Sequence, residues 1–392
     1  MANVLCVWEM GSGLSHLTNL KPFIDAAIAA GHHVTLAAKE LVNIVPVFGR
    51  QYNFNLFQSP YLWRNAVRRY PHLQSYAQLV LQRFGSETEL LVLVAAWDTI
   101  FAAVKPDLVV YDYAPSALVA SLGKPWRKLM VGSGFLMPRT DEPYLGVFPG
   151  VRNTEENHRQ LRDGDARLLQ LINAVNAERG LSALATPAEL ITQCHSQLLL
   201  TLPELDHFGS RPGETYLGIP EAIGGAEPLW PAGKGFKVFC YLSSFARMKE
   251  LMAALHAHGA SVLVYGRNIP QSMRECFPEV AFTDTLLNMT KVGRQADLFV
   301  TMGNHTTCAH AVMQGVPLLM VPTNQEQLYL VKRVVSAGRG VCLYPDDPNL
   351  VDKVAASFRL ASDGRLAVDP TKVAGMDGSK LAAIAAEVMA GI

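Results

Sequence analysis

The chain lacks the features that usually mark nucleic-acid-binding and membrane-spanning proteins. Its 392 residues include 34 basic and 34 acidic side chains, so the formal net charge is zero. No run of Lys and Arg alternates with aromatic residues, and we therefore expect no nucleic acid as a partner. No apolar run reaches the length of a membrane span, although peripheral contact with a membrane stays open.

Cysteine is scarce, and its spacing is typical of neither a metal site nor a disulfide framework. The six cysteines include no CxxC pair, and several lie in apolar runs, so we expect reduced, buried thiols. The N-terminus has no basic segment, and Glu9 interrupts the first apolar stretch, so we expect no signal peptide. These features predict a soluble cytoplasmic protein and leave its oligomeric state open.

Short apolar runs alternate with helical stretches in two successive halves of the chain. Hydrophobic residues make up 49% of the sequence, enough for two buried sheets. We predict an α/β protein with two doubly wound, Rossmann-like domains that face each other across a cleft. The predicted parts are a first domain (1–208), a linker (209–235), a second domain (236–370) and a C-terminal helix (371–392) that can pack back on the first domain.

The most informative segment is the glycine-rich turn that precedes the first helix. Gly11–Leu20 follows a predicted strand ending at Trp8, which places His16 at the carboxyl edge of a parallel sheet, where such sheets bind ligands. Asp112 follows another buried strand and belongs to the same edge. A carboxylate that accepts from one imidazole nitrogen raises the basicity of the other, so His16 is a candidate general base. The alternative is that both are loop residues bonded to the backbone.

A second candidate site lies between a strand and a helix in the second half. The residues that begin this helix are Gly303, Asn304, His305, Thr306 and Thr307. Small and hydroxyl residues at a helix N-terminus leave N–H groups for a negative ligand such as a diphosphate. The alternative is an ordinary helix cap by Thr306 or Thr307.

Two further polar pairs follow strands of the second half. Glu326 and Gln327, at the first turn of a helix, supply the paired acceptors and donors that suit vicinal hydroxyls. They could equally be an ordinary acidic helix start. Ser243 and Ser244 could add hydroxyl groups on the phosphate side, or could be turn residues.

These motifs occur in the order of a known family. His16 precedes a Gly-His pair at Gly31-His32, "PDLVVYD" ends in Asp112, and "QGVPLLMVP" is followed by "EQ" at Glu326. The chain resembles the inverting glycosyltransferases of family 1, the UDP-glycosyltransferase group with the GT-B fold, and bacterial members in particular. The resemblance covers nearly the whole chain and has least support in residues 138–186.

Two positions depart from the pattern of that family. Met302 stands where the family places the His that bonds the donor phosphates, and His305 is the candidate to replace it. His310 stands where many members have a Glu for the ribose hydroxyls. Residues 283–288 contain no counterpart of the tryptophan that stacks on uracil in plant members. The resemblance therefore leaves the nucleotide and the sugar open.

The resemblance implies transfer of a sugar from a nucleoside diphosphate donor to a hydroxyl of a small or lipid-like acceptor. Asp112 would orient His16 as the base, residues 303–307 would hold the diphosphate with help from the two serines, and Glu326–Gln327 would hold the sugar hydroxyls. No cofactor or metal is implied. The Asp-x-Asp pair of Asp163 and Asp165 lies in a polar segment, and we interpret it as a solvated face.

The acceptor is expected in the first domain. Tyr61, Trp63 and Phe135 are the candidates to line its site, although these aromatic residues could equally belong to the core. Two alternatives to the transferase remain. One is a sugar-nucleotide epimerase of the same fold, which needs no acceptor. The other is a non-catalytic GT-B protein that binds a nucleotide or a partner, which Met302 and His310 favour.

Overall fold

The computed structural model describes residues 1–62, 72–232, 235–266 and 268–392. The chain forms two compact units. Unit 1 contains Met1–Thr201, Arg211–Pro220 and Gly378–Ile392, and unit 2 contains Leu202–Ser210 and Glu221–Asp377. The segment predicted as a linker is thus divided between the two units.

Unit 1 is built on a six-stranded parallel sheet. Its strands are β1 Asn3–Trp8, β2 His33–Ala38, β3 Asn55–Gln58, β4 Leu108–Asp112, β5 Arg127–Gly132 and β6 Ser196–Leu199. The order β3-β2-β1-β4-β5-β6 reverses between β1 and β4, whose last residues, Trp8 and Asp112, are partners in register. In open parallel sheets this reversal point is where ligands bind, outside the carboxyl ends of the strands.

Helices cover the sheet of unit 1. They are α1 Ser15–Ala29, α2 Ile44–Phe48, α3 Tyr76–Val80, α4 Glu87–Val104, α5 Pro115–Ala120, α6 Glu155–Glu178 and α7 Glu189–Thr192. Ser86 caps α4 by accepting from the N–H of Glu89, and Thr154 caps α6 in the same way from Asn157. α6 therefore begins directly after Thr154 and includes both Asp163 and Asp165.

Unit 2 repeats the same sheet. Its strands are β7 Lys237–Tyr241, β8 Ser261–Tyr265, β9 Ala281–Thr283, β10 Leu298–Thr301, β11 Leu318–Met320 and β12 Gly340–Cys342. They pair in parallel in the order β12-β11-β10-β7-β8-β9, so the reversal lies between β7 and β10. Counted from the first strand of each unit, the two orders are identical.

Seven helices described for unit 2 flank its sheet. They are α8 Met248–Ala257, α9 Gln271–Cys276, α10 Met289–Gln295, α11 His305–Met313, α12 Gln325–Ser336, α13 Leu350–Ser362 and α14 Pro370–Val373. The last helix, α15 Ser379–Ala390, belongs to unit 1 and packs on α1. There the ring Nε2 of His32 lies 2.9 Å from the carbonyl oxygen of Met389.

The predicted α/β class and the double strand–helix alternation are confirmed. β6 pairs with β5 over Ser196–Leu199, and the chain then leaves the sheet. All six cysteines are free thiols, and Cys6, Cys194, Cys240 and Cys308 are buried. Within the described ranges, no helix has both the length and the apolar character needed to cross a membrane.

Candidate functional site

The reversal point of the unit 1 sheet carries a buried imidazole–carboxylate pair. The loop after β1 places His16 in the first turn of α1, beside Asp112 at the end of β4. His16 Nδ1 lies 3.2 Å from Asp112 Oδ1, and the two residues are 6% and 0% exposed. When Asp112 is ionised, Nδ1–H donates to it and the lone pair resides on Nε2. This arrangement can accept a proton at Nε2.

Two aromatic rings and an amide surround this pair. The Trp8 ring is stacked on His16 with centroids 4.9 Å apart, and the Tyr113 ring lies 6.0 Å from it. Asn19 Nδ2 donates to Asp112 Oδ2 over 3.0 Å. Sequence reasoning missed Asn19, although its spacing of three residues from His16 places both on one helix face.

Gly11 leaves the space beside the imidazole open. Its φ of +80° lies in the left-handed region, and a Cβ built there would be 2.2 Å from His16 Nε2. Both properties require glycine. Gly13, in the same loop, also has a positive φ (+92°), but its Cβ would meet nothing within 4 Å. Of these two glycines, only Gly11 is therefore needed to leave space for the His16 ring.

A buried ion pair fastens the loop that precedes His16. Glu9, 2% exposed, accepts from Arg83 Nε at 2.5 Å and from the backbone N–H groups of Ser116 at 2.9 Å and Ala117 at 3.2 Å. Ser116 and Ala117 begin α5, so Glu9 links the loop after β1 to the loop that follows Asp112. Glu9 and Arg83 are 74 residues apart, and no local sequence pattern indicates their pairing.

The predicted acceptor residues have different environments. Phe135 is 3% exposed and stacks on Phe148 with centroids 5.1 Å apart, which agrees with the core alternative. Tyr61 is 55% exposed, and the guanidinium carbon of Arg83 lies 5.7 Å from its ring centroid. Trp63 lies outside the described residues. The described residues thus do not bring these aromatic side chains into one group.

The solvated-face interpretation is wrong for Asp165. Asp163 is exposed, but Asp165 Oδ2 accepts from the backbone N–H of Leu145 at 3.1 Å. Burial raises the pKa of Asp165 to about 6. Among the described residues, no group of three His, Cys, Asp or Glu side chains is placed to hold a metal ion.

In unit 2, the turn after β10 depends on Gly303. Its φ is +89°, and a Cβ there would lie 2.9 Å from Val331 Cγ2 and 3.3 Å from the carbonyl oxygen of Gln327. The glycine therefore lets the turn pack closely against α12. It brings the 303–307 segment and the first turn of α12 together at the edge predicted from the sequence.

The helix that follows this turn begins at least two residues earlier than the capping alternative requires. α11 starts at His305 with Asn304 in the cap position, so Thr306 and Thr307 lie inside its first turn. A cap by either threonine is thus wrong. Asn304 Oδ1 lies 3.4 Å from Thr301 Oγ1. The N–H groups of the first helical turn lack intrahelical partners, and they suit an anion.

His305 at this helix start is electrically neutral at pH 7. Desolvation lowers its pKa to about 4, and its ring stacks on that of His207 with centroids 5.9 Å apart. His207 is fully buried and comes from the Leu202–Ser210 segment of unit 2. Sequence reasoning missed His207 because that segment was assigned to the first domain. A neutral imidazole can still donate one hydrogen bond to a phosphate oxygen.

At the start of α12, the contacts of Gln327 support an ordinary helix start rather than a site for sugar hydroxyls. Gln327 Oε1 accepts from the N–H of Thr323 at 2.9 Å and from its hydroxyl at 3.0 Å, and Gln327 N–H donates to Asn324 Oδ1 at 3.0 Å. This reciprocal capping agrees with an ordinary helix start. Glu326 is half-buried in the same turn.

The two serines lie at the adjacent strand end. Ser243 and Ser244 follow β7 and are exposed. The serines follow β7, Gly303 follows β10, and Glu326 lies after β11. These three strands are adjacent, because β7 and β11 are the two neighbours of β10. The sheet order therefore gathers the predicted donor-side residues of unit 2 at one edge.

The two departures from the family pattern are both buried. Met302 is 5% exposed and belongs to the hydrophobic core of unit 2. His310 is 6% exposed, and burial lowers its pKa to about 4, so its side chain is neutral at pH 7.

Several solved structures similar to this chain are glycosyltransferases. The calicheamicin glycosyltransferase CalG4 matches with a TM-score of 0.68 and 17% identity, covering 100% of this chain and 98% of CalG4. The glycotransferase of kitacinnamycin matches with a TM-score of 0.65 and 17% identity, covering 99% of this chain and 96% of its own. No family model matches the chain, and no curated protein matches it.

The spinosyn rhamnosyltransferase SpnG is similar in two ligand complexes. Its complex with thymidine diphosphate has a TM-score of 0.61, 18% identity and coverage of 99% of this chain and 96% of SpnG. Its complex with spinosyn aglycone has a TM-score of 0.62, 18% identity and coverage of 100% and 96%. With the two sheets described above, these likenesses identify the fold as GT-B, built from two Rossmann-like domains.

Proposed function

We propose that the protein transfers a sugar from a nucleoside diphosphate donor to a hydroxyl group of a small or lipid-like acceptor. The observation that carries this proposal is the buried His16–Asp112 pair at the reversal point of the unit 1 sheet. An imidazole whose Nδ1 is held by a carboxylate is the usual form of a general base. The GT-B fold, shared with solved glycosyltransferases, supports the choice of sugar transfer.

The chemical step follows from the orientation of the imidazole. His16 Nε2 takes the proton of the acceptor hydroxyl while that oxygen bonds to the anomeric carbon. The bond from this carbon to the diphosphate oxygen breaks, and its electron pair leaves with the nucleoside diphosphate. Attack opposite to the leaving group inverts the anomeric configuration. General-base catalysis of this kind typically contributes about 10²–10⁴-fold in rate.

Unit 2 holds the leaving group in this proposal. The N–H groups at the start of α11 and the helix dipole stabilise the charge that develops on the diphosphate. His305 donates a hydrogen bond, while Ser243 and Ser244 add hydroxyl groups. Glu326 and Gln327 are the candidates for the sugar hydroxyls, and the capping contacts of Gln327 make Glu326 the first to test. Neither a metal ion nor a cofactor takes part.

Thymidine diphosphate is the first nucleotide that we propose to test. Two of the similar solved structures, SpnG and the glycosyltransferase VinC, are complexes with this nucleotide, which is also written dTDP. The neutral, buried His310 also supports a deoxyribose. It stands where the resembled family often uses a Glu for the ribose hydroxyls, and a neutral imidazole is a weaker acceptor for a 2′-hydroxyl than a carboxylate.

A donor screen tests the proposal. Thermal unfolding is measured with a panel of nucleoside diphosphates and their sugars, because a ligand present at 100 times its Kd stabilises the folded state by about 2.7 kcal/mol. Release of nucleoside diphosphate is then measured with and without alcohol acceptors, and the anomeric configuration of the product is determined by NMR. Slow release without acceptor and faster release with one support the transferase.

Two other outcomes would contradict it. An epimerised sugar nucleotide formed without acceptor would indicate an epimerase. Binding of a nucleotide without turnover of any donor would indicate a non-catalytic protein.

A further inference from the structure

A single turn of α1 contributes two hydrogen-bond donors to one buried carboxylate. His16 Nδ1 lies 3.2 Å from Asp112 Oδ1, and Asn19 Nδ2 lies 3.0 Å from Asp112 Oδ2. Asp112 is 0% exposed and Asn19 is 7% exposed. Each oxygen of the carboxylate thus has its own donor, and both donors move with the same helix.

We propose that Asn19 is a positioning residue, which holds the Asp112 carboxylate in the orientation that accepts the Nδ1 proton of His16. A carboxylate bonded at one oxygen only can turn about its Cβ–Cγ bond. The second bond, from the neighbouring position on the same helix face, removes that freedom. An amide suits this task, because it supplies an N–H donor without adding a charge beside the pair.

The surroundings explain why a donor is needed at Asp112 Oδ2. A buried carboxylate oxygen without a hydrogen bond is costly, because the group has lost its water. Trp8 and Tyr113, the rings nearest to His16, form apolar surroundings for the pair.

Other titratable groups lie around the pair, and any change in its pH dependence must be interpreted with them. They come from the loop after β1, the loop after β2, α3 and the segment after α3. These groups are Glu9 with Arg83, Lys39 bonded to the carbonyl of Gly11, Glu40 bonded to the N–H of Gly13, and Tyr76. Burial raises the pKa of Tyr76, and the charges of Glu9 and Asp112 raise it further.

Two substitutions separate positioning from mere packing. Asn19→Leu keeps the number and branching of the side-chain heavy atoms and removes the donor. Asn19→Asp keeps the shape and puts a second carboxyl group next to Asp112. Two adjacent carboxyl groups share one proton up to a strongly raised pKa. Below that pKa the introduced group donates an O–H to Asp112, and above it the two carboxylates repel each other. Asn176→Leu is the matched control, since Asn176 is a buried asparagine of α6 whose Nδ2 bonds the carbonyl of Ser182.

The kinetic arm of the test rests on the proposed function. With a donor and acceptor that the wild type turns over, Asn19→Leu should lower kcat about 10- to 100-fold, while the KM for donor stays unchanged. Loss of a residue that holds a metal-bound histidine in place has an effect of the same size. Asn19→Asp should lose activity as the pH rises above neutrality, a limb that the wild type lacks. Asn176→Leu should leave both the kcat and the pH profile of the wild type. Equal kcat in wild type and both Asn19 variants would overturn the inference.

A second arm does not depend on the function. With ¹⁵N-labelled histidine, the ring signals of His16, assigned by their loss in His16→Gln, should show one tautomer with the proton on Nδ1. In Asn19→Leu they should show a mixture of tautomers, and in Asn176→Leu no change. An unchanged tautomer in Asn19→Leu contradicts the inference even if no donor is ever turned over. A mixed tautomer together with a wild type that transfers no sugar supports the inference and contradicts the proposed function.

Discussion

Unit 1 and unit 2 have the same strand order, yet their reversal points carry opposite chemistry. In unit 1, a histidine and an aspartate are buried and hydrogen-bonded to each other between β1 and β4. In unit 2, the corresponding edge has a glycine turn, a helix start and the neutral His305 beside β10. One edge can take up a proton, and the other can hold an anion. The shared fold sets where a site lies, and the side chains set what it does.

Among substitutions that leave the His16 side chain itself intact, the largest effect on this comparison is expected at Gly11. In Gly11→Ala, the new methyl group would collide with the His16 ring, so kcat should fall about 100-fold, within the range lost when a general base is misplaced. The affinity for donor should not change, because that site belongs to unit 2. Steady-state kinetics and calorimetric binding of the nucleoside diphosphate measure the two effects.

Gly13→Ala is the matched control for the backbone. It has the same left-handed strain in the same loop, without a side chain to strike. Its kcat should therefore stay within a few-fold of the wild type. Equal losses in Gly11→Ala and Gly13→Ala would show that the loop matters only through its fold.

On the unit 2 side, His305→Gln should weaken donor binding about 5- to 10-fold, the value of one hydrogen bond of about 1 kcal/mol. A bound diphosphate favours protonation of His305, whose pKa without ligand is about 4. The donor affinity of the wild type should therefore rise as the pH falls towards that value, and the His305→Gln variant should lack this rise. Calorimetric titration from pH 8 to pH 5 measures both.

His310→Gln provides the comparison within the same helix. His310 is also neutral at pH 7 and is buried, but it lies beyond the first turn of α11. Its variant should keep the pH-dependent increase of affinity. If the increase were lost in His310→Gln and retained in His305→Gln, His310 rather than His305 would be the residue that contacts the phosphate.

Acidification should change the stability of the two units in opposite directions. In the folded protein the pKa values of His305 and His310 are lowered from 6.5 to about 4, so the unfolded chain binds protons that the folded chain does not. Their effect on stability is absent above about pH 6.5 and grows as the pH falls to about 4, at about 1.4 kcal/mol per pH unit for each histidine. In unit 1 the pKa of Asp165 is raised from 3.8 to about 6, so acidification in that range favours the folded state.

Hydrogen exchange at pH 7.5 and pH 5.5 tests this contrast unit by unit. Amides of β7, β10 and α11 should lose protection at the lower pH, while those of α6 should not. The double variant His305→Gln with His310→Gln should remove the loss, and His256→Gln should not, because the side chain of His256 is 61% exposed. Equal acid sensitivity of both units would refute the assignment.

The smallest effect is expected from chelation. Since the proposed mechanism stabilises the leaving diphosphate by N–H groups and a helix dipole, excess EDTA should leave the transfer rate unchanged. Asp163→Asn, which alters the exposed member of the Asp-x-Asp pair, should also be without effect. A rate that falls with EDTA and returns with Mg²⁺ would contradict the metal-free mechanism.

The sequence predicted the parts of this account that depend on local patterns. Apolar runs with glycines at their ends located most strands and helices. The positions of His16 and Asp112 after two strands were sufficient to predict that they meet. Gly303 and the start of α11 could be predicted for the same reason, because each lies directly after a strand.

The rest depends on tertiary contacts that no local pattern contains. The Glu9–Arg83 ion pair, the Asn19 hydrogen bond and the His207–His305 stacking join residues from different elements. The grouping of Leu202–Ser210 with unit 2 likewise depends on packing across the chain. Phe135 could not be separated from a binding residue by composition, since the same aromatic side chain serves in a core.

The most direct test of the central claim is the turnover of His16→Ala at saturating donor and acceptor. The account predicts that kcat falls at least about 100-fold, the lower range for loss of a general base, while the Kd of the nucleoside diphosphate stays within twofold of the wild type. Turnover equal to that of the wild type would contradict the assignment of His16 as the base.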